Sequence, residues 1–367
     1  MERDGFERGG AAVDFLRSYN EALVMAVARR RPTFDRATIA ATTGLTPQAV
    51  SKVIARLGEA GLVSIAGQRH GGVGKPTTVY RLVATSRYAI GAHVARRTLR
   101  LALTDLAGTV LDTSVAPLPA DFTPDQVLDA IAHGVDKMLA AYPAASARLD
   151  GIGIGMVGPL DHARGIVRDA HGLRHWHDVP LRDIATARLG VPVLVDKDVS
   201  AGVTAEAWRR GEEFRDAVLI MVEAGIGAGL WLSGHPYRGT HTNAGEFGHT
   251  VLVLDGPQCV CGRRGCLEIV HERAIANGDP AYAARVLATG IVNLLQTTDV
   301  GHVVLGGADL IASADLYMAA VTSAIRSEVP RADWLTVDVT LSALGADVVA
   351  AGAAMEVLNA KYGVPGR

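Results

Sequence analysis

All three cysteines of the chain fall within eight positions, in the stretch HTVLVLDGPQCVCGRRGCLE that runs from His249 to Glu268. Cys259, Cys261 and Cys266, with His249 ten residues before the first of them, offer four nitrogen and sulfur ligands. Four is the number that closes a tetrahedral zinc site, whereas a catalytic zinc keeps one position for water. The pattern therefore predicts a structural zinc ion that holds one loop of the second half in a fixed shape. Three clustered thiols make a poor disulfide framework because one is left over, and a cytoplasmic compartment is the expectation.

A chain of 367 residues is too long for one small core, so two or three domains are expected. No run of about 18 uncharged apolar residues exists, and no membrane span is expected. The opening MERDGFERGG is charged and lacks the apolar core of a signal peptide. The net charge of −2 hides an asymmetry: residues 1–85 carry 12 Lys and Arg against 7 Asp and Glu, and the remainder 24 against 31. A basic front on an acidic body fits a nucleic-acid module joined to a domain with other work.

The front carries its own pattern. In AAVDFLRSYNEALVMAVARR, Val13, Leu16, Leu23, Val24 and Val27 recur near helical period. Asp35 is placed to cap a second short helix, RATIAATTG, which Gly44 would end. Thr46 and Pro47 then open LTPQAVSKVIARLGEAGL, in which Val50, Val53, Ile54 and Leu57 form one apolar stripe. Its other face offers Gln48, Ser51, Lys52 and, nearby, Arg56, short or basic donors suited to phosphates and base edges. Two short helices around a glycine turn describe a DNA-binding helix-turn-helix, with any small helical hairpin as the alternative. LVSIAG and TTVYRLV read as strands around QRHGGVGKP, a basic, glycine-rich loop with Arg69, His70 and Lys75. Such a wing can send Arg or Lys into a narrow minor groove.

These residues, from LRSYNEALVMAVARR through GLTPQAVSKVIARLGEAGLV to Gly74-Lys75-Pro76, resemble the N-terminal domain of ROK-family transcriptional regulators (repressors, open reading frames and kinases). From Tyr88 on, YAIGAHV, TLRLALTDLAGTVLD, GIGIGMVGPLD, VPVLVDKDVS, AVLIMVEAGIGAGLWLSG and HVVLGGADLI read as strands. Helical PDQVLDAIAHGVDKMLAAYP and SAGVTAEAWRRG lie between them, which indicates an α/β body of two lobes. GIGMVGPLD, HWHDVPLRD, AGIGAGLWLSGHPYRGTHTNAGEFGH and the cysteine cluster resemble the ROK sugar-kinase body. The resemblance implies residues 1–85 as a winged helix-turn-helix and 86–367 as a two-lobed actin-like ATPase body, which binds effector and oligomerises. It also implies His249, Cys259, Cys261 and Cys266 as zinc ligands beside the sugar pocket.

The same resemblance implies lost catalysis. Asp198 in VDKDVSAG matches the family's general base, but Lys197 stands in place of its Asn neighbour, and Ser200 replaces a later Asn. An ammonium there lowers the basicity of the carboxylate. The first phosphate motif, Asp-x-Gly-Gly-Thr in active members, reads His93-Val94-Ala95-Arg96-Arg97, and the second is reduced to EAGIG with Glu223 at its head. The third survives as Gly306-Gly307-Ala308. Asp198, Glu246, His249 and Glu268 match sugar-contacting positions, while Gly172 replaces an Asn. The expectation is a non-enzymatic, DNA-binding repressor, a homodimer or tetramer on a palindromic operator, controlled by a sugar or sugar phosphate. A sugar kinase with a DNA-binding head and an effector-independent DNA binder stay open. Lys197 either favours an acidic ligand or fills an empty cleft by pairing with Asp196 or Asp198.

Overall fold

The computed structural model describes residues 4–70, 76–170, 172–211, 213–329 and 336–364, with side chains described from residue 16 onward. Helix α1 spans Asp4–Arg30. Val24, Met25, Val27 and Ala28 bury its inner face, but Leu16, expected in that stripe, is 58% exposed. Helix α2 (Arg36–Thr43) starts where Asp35 accepts the Thr38 amide at 2.8 Å and ends at Gly44, whose φ of +70° is left-handed. Helix α3 (Pro47–Glu59) starts where Thr46 accepts the Ala49 amide, and Val50, Val53, Ile54 and Leu57 are buried as their spacing predicts. Strands β1 (Val63–Arg69) and β2 (Thr77–Leu82) then pair antiparallel. The tip of that hairpin, including Lys75, lies outside the described residues. The head is thus a helix-turn-helix followed by a hairpin.

Its core does not stop at residue 85. Val24, Met25, Ile39 and Val53 share one buried cluster with Ala89, Leu106, Ala354, Val357 and Leu358 of the body. The expected boundary falls at a single 3-10 turn, Ala84–Ser86, but apolar packing runs across it.

Two sheets of five strands build the body. The first holds β3 (Tyr88–Val94), β4 (Thr98–Asp105) and β5 (Val110–Pro117) as an antiparallel meander. Helices α4 (Pro124–Ala141) and α5 (Pro143–Ser146) lead to β6 (Leu149–Met156), which runs parallel to β3. The short strands β7 (Leu160–Asp161), β8 (Ile166–Asp169) and β9 (His177–Val179) form a small side sheet. Helix α6 (Leu181–Leu189) leads to β10 (Val193–Lys197), which closes the first sheet, and to α7 (Asp198–Arg210).

The second sheet has the same connectivity. Its strands β11 (Ala217–Val222), β12 (Ile226–Leu232) and β13 (His235–Pro236) form the meander. After α8 (Leu267–Ala276) and α9 (Pro280–Thr298), β14 (His302–Gly306) adds parallel to β11. Then α10 (Ala308–Ile311) and α11 (Ala314–Glu328) precede β15 (Asp338–Leu341), parallel to β14.

Helix α12 (Val348–Tyr362) is buried at every residue from Val348 to Leu358, as expected of a helix apolar all round. It lies between the lobes because small residues let backbones touch. A Cβ on Gly153 of β6 would lie 2.0 Å from the Ala353 carbonyl oxygen, and one on Gly352 1.8 Å from that of Ala201 in α7. With backbone on both sides nothing can give way. Gly352→Ala is expected to cost about 3 kcal/mol or more, measured by urea denaturation of the full chain.

Candidate metal centre and ligand cleft

The cysteine loop is built by two short bridges. Val251 pairs with Cys266, and Gln258 with Arg264. The Leu252 and Val253 amides both donate to the Gly265 carbonyl, at 2.9 and 3.2 Å. This folding returns the chain from the 3-10 turn Phe247–His249 to the start of α8. His249 Nδ1 then stands 3.6 Å from Cys259 Sγ, and Cys261 Sγ 3.6 Å from Cys266 Sγ. One ligand atom from each of the four residues lies within 4.8 Å of all the others. Metal–sulfur bonds of about 2.3 Å in a tetrahedron place sulfurs about 3.8 Å apart, so the set can hold a metal ion.

The electrostatics of the loop ask for one. Burial first, and the neighbouring thiols after it, push the Cys266 thiol up to about 12. Burial also raises Cys259. At Cys261 burial raises the thiol too, but the Arg263 amide and the adjacent sulfurs outweigh it and bring the thiol below its ordinary value. Three such thiols do not ionise together without a cation to compensate them.

The four residues expected to meet an effector do come together. Asp198, Glu246, His249 and Glu268 line one cavity of about 90 Å³ between the lobes, together with Lys197 and Glu223. The partner of Lys197 differs from expectation. Its buried Nζ lies 2.5 Å from Glu246 Oε1 and 3.0 Å from the Ala244 carbonyl, so neither Asp196 nor Asp198 takes it. Asp196 is engaged by Arg238 at 2.5 Å, and Arg238 reaches Glu356 at 3.0 Å. Burial would lower the Arg238 guanidinium, but the carboxylates of Asp196 and Glu356 outweigh that and hold it above its ordinary value. Glu356 is pushed well above the carboxylate range, by burial first and by Asp196 second. Asp198, the first residue of α7, accepts the Val199 amide at 2.7 Å. Glu268, in the first turn of α8, accepts the Ile226 amide at 2.7 Å, which fixes the second Gly-rich turn to the metal loop.

Glu223 joins the two altered turns to the surviving third. Its Oε1 accepts the Ala308 amide at 3.2 Å, and its Oε2 lies 3.8 Å from Nε2 of buried His93. The Arg96 guanidinium covers Gly172, 3.6 Å from where a Cβ would stand.

On the head, Gln48 and Lys52 are exposed and Ser51 is half-buried on the outer face of α3. Arg56 is turned inward instead, its Nε 2.6 Å from Glu21 of α1. Arg69 ends β1 and pairs with buried Asp35 while its own side chain stays 67% exposed. The Thr38 amide and Arg69 outweigh burial and hold the Asp35 carboxyl below its ordinary value. Neither pairing was visible in the pattern, because both partners lie about 35 positions away in sequence. Arg238 and Glu356 were also missed; nothing in their local sequence marks them.

Fold and site together define a class: a two-lobed, actin-like body of the sugar-kinase type that carries a helix-turn-helix at its N-terminal end. The model of the ROK family matches residues 89–279. The xylose repressor of Bacillus subtilis is 27% identical over 292 residues, which cover 78% of this chain and 74% of that one. A solved ROK family transcriptional regulator, a homolog of the E. coli MLC protein, is 20% identical with a TM-score of 0.74 and covers 95% of this chain and 98% of its own. The ROK hexokinase of Thermus thermophilus is 27% identical, with a TM-score of 0.58, over 73% of this chain and 97% of its own. The chain belongs to the ROK family. Among the described residues no helix is long and apolar enough to cross a membrane.

Purified protein is expected to carry about one equivalent of divalent metal per chain by atomic emission. Cys266→Ser is expected to empty the site and lower the melting temperature by several degrees. Metal content and melting temperature unchanged in that variant would show that the thiols bind nothing.

Proposed function

We propose that the chain is a ROK transcriptional repressor whose body senses a polyhydroxylated, sugar-type effector and no longer transfers phosphate. One observation carries the reading: a helix-turn-helix with an exposed Gln48–Lys52 face shares a single core with α12, which packs on the first sheet and against α7, the helix that meets the second sheet. A change in lobe closure therefore has a packed route to the groove-reading helix. The likeness to a solved regulator extends over the head, whereas the hexokinase match covers only about three quarters of the chain.

Residues 1–85 act as the winged head and 86–367 as the sensing and dimerising body, so a homodimer or dimer of dimers would address a palindromic operator. Half-sites would then lie about one helical turn, or a multiple of it, apart. Gln48 and Ser51 read base edges, and Lys52 meets phosphate. Arg69 and Lys75, which lies outside the described residues, are further candidate contacts, and Arg56 and Arg69 also brace the head through Glu21 and Asp35. His249, Cys259, Cys261 and Cys266 hold structural zinc, and the protein does no chemistry with it.

Loss of phosphoryl transfer follows from Glu223. Its carboxylate takes the Ala308 amide at the start of α10, the kind of backbone donor that a phosphate oxygen needs. It also sets a negative charge where a nucleotide would bring more. Lys197 spends its charge on Glu246, which removes the reason to expect an acidic ligand and favours a neutral sugar. The cleft, at about 90 Å³, is far below the roughly 300 Å³ of ordinary ligand pockets. A sugar enters only if the lobes part or Lys197 leaves Glu246. That requirement gives ligand-bound and ligand-free states different shapes, as gating demands.

Operator fragments selected from genomic DNA are expected to bind the full chain. Lys52→Ala should weaken binding roughly tenfold across sequences and reduce the salt slope by about 1. Point variants test the head better than deletion, since removing it would strip apolar cover from Ala354 and Leu358. With ATP, magnesium and a monosaccharide panel, product formation is expected to stay at the blank. A turnover near the 1 s⁻¹ or more of working kinases would return the chain to the enzymes.

A further inference from the structure

A second cavity, much larger than the cleft, lies elsewhere. A crevice of about 1250 Å³ lies between the C-terminal end of α1 and the end of α7, one wall from the head and the other from the body. Five arginines line it: Arg29, Arg30 and Arg31 from the head side, Arg209 and Arg210 from the body. The described acids on its walls are Glu206 and Glu213. Glu206 is already taken, by Arg210 at 2.9 Å and by the Ser342 hydroxyl at 2.6 Å. The balance among described residues is strongly positive, in a body whose overall charge is acidic.

Arg29 is the sharpest feature. Its guanidinium lies 4.0 Å over the ring of Trp208, and its Nη1 is buried with no hydrogen-bond partner. A buried guanidinium nitrogen left unpaired is costly, because desolvation is not repaid. Burial and the neighbouring Arg30 pull Arg29 down to about 10. The site is built rather than accidental. The Trp208 indole N–H donates to the Ala107 carbonyl at 3.1 Å, and a Cβ on Gly108 would meet that nitrogen at 2.4 Å. The aromatic floor on which Arg29 lies is thus fixed in place.

We propose that this crevice is a second ligand site, which takes a small phosphorylated metabolite through Arg29 and Arg209. A planar guanidinium with unused donors matches phosphate oxygens two at a time, and several arginines can share one dianion. The volume exceeds that of a bare ion and suits a metabolite of sugar-phosphate or nucleotide size. Because the walls belong to head and body, occupancy holds the head in one orientation; this consequence, unlike the site itself, rests on the regulator reading above.

Inorganic pyrophosphate, which carries the phosphate chemistry without a sugar, is the probe. Calorimetric titration of the full chain near 0.15 M salt is expected to show one saturable site. Arg29→Gln and Arg209→Gln should each weaken it at least tenfold, while Lys197→Met in the cleft should leave it unchanged. Arg209 is exposed, so its variant keeps the test valid should Arg29→Gln loosen the head. No binding by the full chain overturns the proposal. So does binding lost only in Lys197→Met, which would assign the anion to the cleft. So does a tenfold loss of operator affinity in Arg209→Gln with pyrophosphate binding intact, which would make the arginines contacts to the DNA backbone. The operator assays above fail or succeed independently of these titrations.

Discussion

At Gly352 the backbone of α12 runs against that of α7, and much of the molecule is organised around that crossing. A Cβ there would sit 1.8 Å from the Ala201 carbonyl oxygen, so the two helices are as close as chains can come. Ala351, Ala353 and Met355 of α12 bury themselves with Val199, Val203 and Leu219 between the lobes. The same helix continues into the core of the head through Ala354, Val357 and Leu358. One apolar helix therefore packs on the first sheet, on α7 and, through α7, against the second sheet, and it also meets the DNA-reading module. Interiors packed this tightly shift between discrete arrangements rather than deform smoothly. The packing thus offers a displacement at α7 a contiguous route to α1 and, through it, to α3.

The cleft shows what happens to a phosphate-handling site when its charges are turned on one another. Glu223 satisfies the α10 amide, Lys197 satisfies Glu246, and Glu268 satisfies the Ile226 amide. Each group is one that an incoming ligand would otherwise meet. Buried charges that already have partners lower the gain from any new contact, since the old pair must be broken first. The cost is useful in a sensor. It sets a threshold that a ligand's contacts have to exceed, and it ties binding to rearrangement. The metal loop keeps this exchange precise in space, because His249 and Glu268 are anchored at its two ends by the Val251–Cys266 bridge.

Most of the architecture was legible in the sequence. The stripe of Val50, Val53, Ile54 and Leu57, the caps at Asp35 and Thr46 and the stop at Gly44 all stand where local chemistry placed them. So do the strand pairs β1–β2, β3–β4 and β11–β12, which are close in sequence. The cysteine spacing picked out four residues that the fold does bring together into a set able to hold a metal ion, because such a cluster needs few residues at short range. What failed was orientation over distance. Leu16 fits the helical period of α1 and still faces outward. Arg56 and Arg69, read as DNA contacts, each also have an acidic partner, Glu21 and Asp35, that the pattern did not show. Lys197 was read against its sequence neighbours, but its partner Glu246 arrives from the other lobe. Short-range periodicity reports which face is apolar; it carries no record of which charge from elsewhere meets the polar face.

That distinction bears on how the head is controlled. Polar pairs across the lobes, Lys197–Glu246 and Arg238–Asp196, sit beside the start of α7, whereas the described packing of the head on α12 is mainly apolar, with Arg29 stacked over Trp208 beside it. Apolar packing is non-directional, so the head can settle on α12 in a second discrete arrangement as long as buried area is kept. Charge pairs are directional and either form or break. A ligand that competes with the directional pairs can therefore act on the apolar joint packed beside them on α12. The energy available for the switch is the difference between the ligand's affinities for the two arrangements, and nothing beyond it. For a small sugar that difference is a few kcal/mol, enough to change operator occupancy by one or two orders of magnitude. A second, anion-filled contact between α1 and α7 would stiffen the same joint from outside, and the two inputs would then compete for one coordinate, the angle of the head.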